Sequence, residues 1–282
     1  MLWTHKLGQK LSLMLLLSAL SGLLHAEQSF EPRMVLIIDD MGYNLKRGEA
    51  ALALPGAVTY SILPYTPYAK KFAVDAHDSG REVMLHVPMA NTAAKALGPG
   101  ALTPEMEREA VMSGLDQALD ATPHVSGVNN HMGSLLTSMD QPMQWVMDTL
   151  KARDLYFIDS LTTIKSVGWK KARDNQVPYL KRHVFLDHQS NEAFIHGQFQ
   201  RALNIANKFG FVVVIGHPYP ETSAYLARIL PDLKKLGVRL VPASAIILPE
   251  VKRELTRSAR HRLQLAEAST LVLEQQRETI TD

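Results

Sequence analysis

The chain has 282 residues, 30 Lys+Arg against 28 Asp+Glu, no cysteine and a formal net charge of +2. Without cysteine there is no disulfide framework and no thiol chemistry. Lysines and arginines read as scattered along a near-neutral chain, so no nucleic-acid partner is expected.

The N-terminus has the layout of an export signal. Lys6 and Lys10 supply positive charge, Leu11 to Leu24 is almost entirely apolar or small, and Leu24-His25-Ala26 ends on a small residue. The apolar run is short for a membrane span. Cleavage after Ala26 is expected, which divides the chain into a signal peptide (1–26), one α/β domain (27–250) and a polar C-terminal helix or tail (251–282). The product would be periplasmic with no stable membrane span.

Met34-Val35-Leu36-Ile37-Ile38 predicts a buried parallel strand. It runs into Asp39-Asp40 and then Met41-Gly42. Two adjacent carboxylates at a strand end are costly unless a cation or a shared proton relieves them. Alternatively one of them caps the next helix and the other is solvated. The pair alone leaves a metal site, an acid–base pair and a helix cap open.

Further strands are predicted at Val58–Leu63, Glu82–Val87, Gly127–His131, Leu155–Asp159, more weakly at Val184–Asp187, then at Phe211–His217 and Val238–Val241. Helices are predicted from the cap Thr103-Pro104-Glu105 to Leu119, over Gln141–Lys151, over Ala193–Phe209 ended by Gly210, and over Leu226–Leu236 ended by Gly237. Residues 89–102 read as a loop over the functional edge, and His217-Pro218-Tyr219-Pro220 as a proline-held loop. Strand–helix alternation implies a parallel sheet with helices outside. The expected fold class is α/β, a distorted or incomplete (β/α) barrel of about seven parallel strands.

Asp39-Asp40, His86, His131, Asp159 and His217 all fall at or near the C-terminal end of a predicted strand. In a parallel sheet those ends share one face, where ligands and catalytic groups gather. Histidine and aspartate together suit a divalent metal, typically zinc. With a carboxylate as base and a histidine as acid, the set fits metal-assisted hydrolysis of an amide or ester. Asn129, Asn130 and Asp159 are candidates to orient ligands or hold substrate, and Tyr219 to stack on a sugar or cover the core.

Five stretches carry a family resemblance: Ile37-Ile38-Asp39-Asp40-Met41-Gly42, Leu85-His86-Val87-Pro88-Met89, Gly127-Val128-Asn129-Asn130-His131-Met132-Gly133-Ser134, Phe157-Ile158-Asp159-Ser160 and Ile215-Gly216-His217-Pro218. The chain resembles the divergent polysaccharide deacetylases, relatives of the NodB-type deacetylases of chitin oligomers and peptidoglycan. The resemblance implies a NodB-like barrel, a divalent metal and an acetylated glycan substrate. Carried over, it makes Asp39 the base, Asp40 and His86 metal ligands, and His217 the acid. The relatives have a second histidine four residues after the first, where this chain has Ala90. Their Arg-x-Pro-Tyr motif is not visible either, and His131 is the expected replacement ligand. The alternative is a glycan-binding or regulatory envelope protein, with an envelope protein partner, that keeps the fold without turnover.

Overall fold

The computed structural model describes residues 31–247. The expected signal peptide and the tail from 251 lie outside them. Among the described residues, no helix is long and apolar enough to cross a membrane.

Among the described residues, nine strands form one all-parallel sheet. They are β1 (Arg33–Met41), β2 (Thr59–Ile62), β3 (Val83–Met89), β4 (Val125–Met132), β5 (Tyr156–Asp159), β6 (Tyr179–Lys181), β7 (Val184–Phe185), β8 (Phe211–Gly216) and β9 (Arg239–Leu240). Their order is β6-β5-β4-β3-β2-β1-β8-β7, with β9 beside the start of β1. β6 and β7 are separated only by Arg182 and His183. The first pairs with β5 and the second with β8. The Arg182 amide donates to the Asp159 carbonyl and the His183 amide to the Val213 carbonyl. One extended segment therefore bonds to β5 with its first half and to β8 with its second, which draws the two ends of the sheet together. The result is a distorted (β/α) barrel with seven strand positions, as the alternation of elements implied.

The helices are α1 (Leu45–Leu52), α2 (Ala69–Asp78), α3 (Arg108–Ala121), α4 (Asp140–Ala152), α5 (Gly168–Asp174), α6 (Glu192–Phe209) and α7 (Pro220–Ile229). α1, α2 and α5 were not predicted, and two of the four predicted helices begin elsewhere than expected. α3 begins at Arg108 because residues 103–106 close a separate turn, in which the Met106 amide donates to the Thr103 carbonyl. α7 begins at Pro220, with the proline in its first turn where no amide is needed. It ends before Pro231, which falls in a short 3₁₀ turn. The glycine stop at the end of α6 holds, with Gly210 left-handed at φ 83°.

Side-chain alternation divides the sheet into two faces. Met34, Leu36 and Ile38 pack outward under the helices, while Val35 and Ile37 pack into the barrel. Met84, Tyr156, Ile158, Leu180, Val213 and Ile215 share that interior cluster with Val241, Ala243 and Ile246. The lower interior is thus apolar. Following the same alternation upward, the inward positions become Ser61, Asp39, His86, Asn129, His131 and His217.

A candidate metal centre at the barrel mouth

Asp39 continues the inward row of β1 and is buried, 2 % exposed. Asp40 should face outward by alternation. It is left-handed instead (φ 57°), and the pairing of β1 with β2 shifts between Ile38 and Met41. This break turns the second carboxylate back toward the interior, so both neighbours reach one place. Gly42 makes the tight exit possible. Its φ is 133°, and a Cβ there would lie 2.0 Å from Thr66 Oγ1.

Asp40, His86 and His131 each offer a ligand atom, and these atoms lie within 4.8 Å of one another. Asp40 Oδ1 is 2.8 Å from His131 Nδ1 and 3.2 Å from His86 Nε2. It is buried, yet has no hydrogen bond of proper geometry. Lone pairs converging on a buried point without a bonding proton suit a cation, so the donor set fits a divalent metal. Asn129 orders the set from behind. Its Oδ1 lies 2.6 Å from His86 Nδ1 and accepts from Ser61 Oγ at 2.6 Å, while its Nδ2 donates to Asp39 Oδ1 at 2.8 Å. A proton on His86 Nδ1 leaves the Nε2 lone pair facing Asp40.

Charge and burial oppose each other throughout the centre. Burial raises the Asp39 carboxyl above its ordinary value, and the attraction of His86 and His217 does not cancel this. Burial would also raise Asp40, but the His131 and His86 nitrogens outweigh it and hold that carboxyl well below the usual range. His86 is pressed down by burial and lifted further by the Asp39 and Asp40 carboxylates, ending above its ordinary value. A bound cation would take the place of that proton.

His217 follows β8 and is held by a residue the sequence reading did not select, Asp187. Its Nδ1 is 2.9 Å from Asp187 Oδ1. Its amide donates to Asp187 Oδ2 at 2.6 Å, and Thr222 Oγ1 donates to the same oxygen at 2.8 Å. His217 Nε2 is 3.8 Å from Asp40 Oδ2. Burial lowers its basicity, but the Asp187 bond and the Asp40 charge raise the pKa to about 9. Tyr219 stacks on the imidazole with ring centroids 5.4 Å apart, and Phe185 packs against it at 5.1 Å. Arg182 was also not selected. It clamps the Ser160 and Leu161 carbonyls at 2.6 and 2.8 Å.

Asp159 and Asn130 stand apart from this centre. Phe157 packs outward, and Asp159 shares its face. Its Oδ1 accepts from the Leu161 amide, and its Oδ2 from Ser166 Oγ at 2.6 Å and the Trp169 amide at 3.1 Å. Asn130 likewise donates to the Met132 carbonyl and accepts from the Ser160 amide. Both shape loops beside the centre. Asp159→Ala is therefore expected to cost about 2–4 kcal/mol in urea unfolding, because three donors lose their acceptor, with metal content unchanged. Ala90 does not point to the centre. It packs among Val87, Met89 and Leu102, and its carbonyl accepts the Leu135 and Leu136 amides.

The fold and this constellation define a class, and the sequence comparisons agree with it. A model of the divergent polysaccharide deacetylase family matches residues 36–247, and the chain belongs to that family. It is 38% identical over 215 residues to the uncharacterized protein YibQ of Escherichia coli (strain K12), covering 76% of this chain and 67% of YibQ. It is 35% identical over 229 residues to an uncharacterized protein of Haemophilus influenzae, covering 77% of this chain and 82% of that protein. A crystal structure of an uncharacterized protein from Agrobacterium tumefaciens C58 shares the fold, with a TM-score of 0.75 at 20% identity, covering 77% of this chain and 89% of that one.

Proposed function

We propose that this protein is a periplasmic, zinc-dependent hydrolase that removes acetyl groups from an envelope glycan. The observation that carries the reading is the convergence of Asp40, His86 and His131 within 4.8 Å, flanked by a buried carboxylate and by the Asp187–His217 pair. The periplasmic assignment rests on the charged and then apolar N-terminal sequence.

A zinc ion held by Asp40, His86 and His131 would supply Lewis-acid polarisation of the acetyl carbonyl and a more acidic water. Asp39 accepts the proton of the attacking water. Burial has raised its basicity for that task, and Asn129 fixes its orientation. His217, whose imidazolium the Asp187 bond and charge favour, delivers a proton to the nitrogen or oxygen that leaves. Asp187 holds the imidazolium in register. Tyr219 offers a half-buried aromatic face beside His217 for a sugar ring.

A second reading, a glycan-binding or regulatory envelope protein without turnover, draws support from Ala90 at the position of the relatives' second histidine. Metal analysis of the purified protein separates the readings when combined with acetate release from peptidoglycan and chitin oligomers. The enzyme reading predicts one divalent metal per chain and acetate release that a chelator abolishes. A chain without stoichiometric metal would sink it. Full metal with no acetate from any acetylated glycan would favour the second reading.

A further inference from the structure

Residues 165–182 carry six of the chain's 30 Lys+Arg and one of its 28 Asp+Glu. The charge is thus not scattered as the sequence first reads, and the fold concentrates it further. Trp169 is the second residue of α5, and Lys181 ends β6 on the same outer face as Tyr179. Lys181 Nζ lies 4.1 Å from the Trp169 ring centroid, Lys170 Nζ 5.6 Å and the Arg173 guanidinium 5.7 Å. Tyr179 packs on the same indole at 6.4 Å.

Within this cluster, Lys171 pairs with Asp140 and Arg173 with Asp174. Lys165, Lys170 and Lys181 have no carboxylate within 4.0 Å among the described residues. Like charges gathered without counter-charge repel one another. The negative face of an indole offsets part of that repulsion and holds the ammonium groups in place. A set of cations ordered in this way is prepared for an anionic ligand.

The cluster is tied to the loop that follows β5, beside the metal centre. Asp159 anchors the Trp169 amide and Ser166, and Arg182, next to Lys181, clamps Ser160 and Leu161. Lys181 is level with Asp159 across β5, and Ile158 with Asn129 across β4. Two strand spacings, about 10 Å, therefore separate β6 from the strand that carries His131. That is within the span of a few sugar units and beyond the reach of a single one.

We propose that Trp169, Lys170 and Lys181 form a second binding site, on the outer flank beside the metal centre, for a carboxylate-bearing glycan strand. The choice of a glycan rests on the deacetylase reading. The need for an anion rests on the cluster alone. The site would make the protein prefer acidic polysaccharides to neutral ones.

The test is direct binding, by calorimetry at low and high salt, of a uronic-acid hexamer and of a neutral N-acetylglucosamine hexamer to the wild-type protein. The same titrations are made with Lys170→Ala/Lys181→Ala, whose folding is checked by circular dichroism. The acidic hexamer is expected to bind wild type more tightly than the neutral one and to weaken with salt. The double variant should bind it at least tenfold more weakly, with neutral binding unchanged. Equal affinity for the two hexamers, or acidic binding indifferent to the lysines, would overturn the proposal. So would lysine-dependent binding of anionic vesicles or duplex DNA in place of the acidic hexamer. None of these titrations requires turnover, so a protein that releases no acetate can still bind the acidic strand, and the two readings fail separately.

Discussion

Replacing His131 with alanine is expected to abolish stoichiometric metal binding while leaving the barrel folded. His131 stands at the end of β4 with its side chain 18% exposed, so its loss opens no cavity in the apolar interior. It does leave Asp40 and His86 as the remaining protein donors. Loss of an outer partner to a metal ligand costs about 10–100-fold in affinity, and loss of a ligand itself should exceed that. In wild type, zinc at 100 times its Kd should stabilise the fold by ~2.7 kcal/mol. That increment should vanish in His131→Ala, and acetate release should fall with it. The wild-type site should also lose metal in acid. His86 is held above its ordinary value without metal, so a proton competes with the cation as pH falls through that raised value. A His131→Ala protein that retains one metal per chain would remove β4 from the site and with it the account of how the chain manages with Ala90.

The sequence showed where the centre would form better than which side chains would face it. Apolar runs that end in Asp39-Asp40, His86, His131 or His217 locate strand ends, and parallel strands bring those ends together. A strand end by itself does not fix which face a side chain takes. Asp159 follows Phe157 by two residues, so it points outward with it, and Asn130 is outward for the same reason relative to Val128. Applying the two-residue alternation from Val35 and Ile37 would have selected Asp39, and from Val213 and Ile215 would have selected His217. It would have rejected Asp40, because the left-handed turn at φ 57° that redirects this residue leaves no mark in hydrophobic pattern. Asp187 was missed because β7 is only two residues long, and so weak a strand gives no confident end.

The segment from Tyr179 to Asp187 links fold to chemistry. It closes the barrel by bonding to β5 and then to β8. In the same stretch it carries Lys181, Arg182 over the Phe185 ring at 5.1 Å, and Asp187. A segment that must satisfy two neighbours at different points cannot run as one regular strand. The irregularity that hid it from a pattern search is what lets its side chains serve the flank, the loop after β5 and the His217 side of the mouth.

Asp187→Asn should separate the acid from the metal. Asp187 is buried, its Oδ2 accepts from both the His217 amide and Thr222, and its Oδ1 faces His217 Nδ1. An asparagine fills the same space and can still accept from the amide and the hydroxyl. It carries no charge to favour the imidazolium, and with its NH₂ toward Nδ1 it opposes that form. The His217 pKa should then drop from about 9 toward or below the ordinary 6.5. The direction of the pH effect follows. The Asp187 bond and charge raise the His217 pKa, so the alkaline limb of the wild-type pH–rate profile should lie above that of the variant. In the variant that limb should move down, and kcat at neutral pH should fall by about 10²–10⁴. Metal content should not change, because Asp187 offers no donor to the Asp40–His86–His131 set. The imidazolium–carboxylate pair also stabilises the fold below the unfolded pKa of His217, a contribution lost as pH rises through the folded value. The variant should therefore lose part of the wild type's stability at neutral pH and little above pH 9. An alkaline limb that stays in place would show that His217 is not the acid and would return the leaving-group proton to another donor at the mouth.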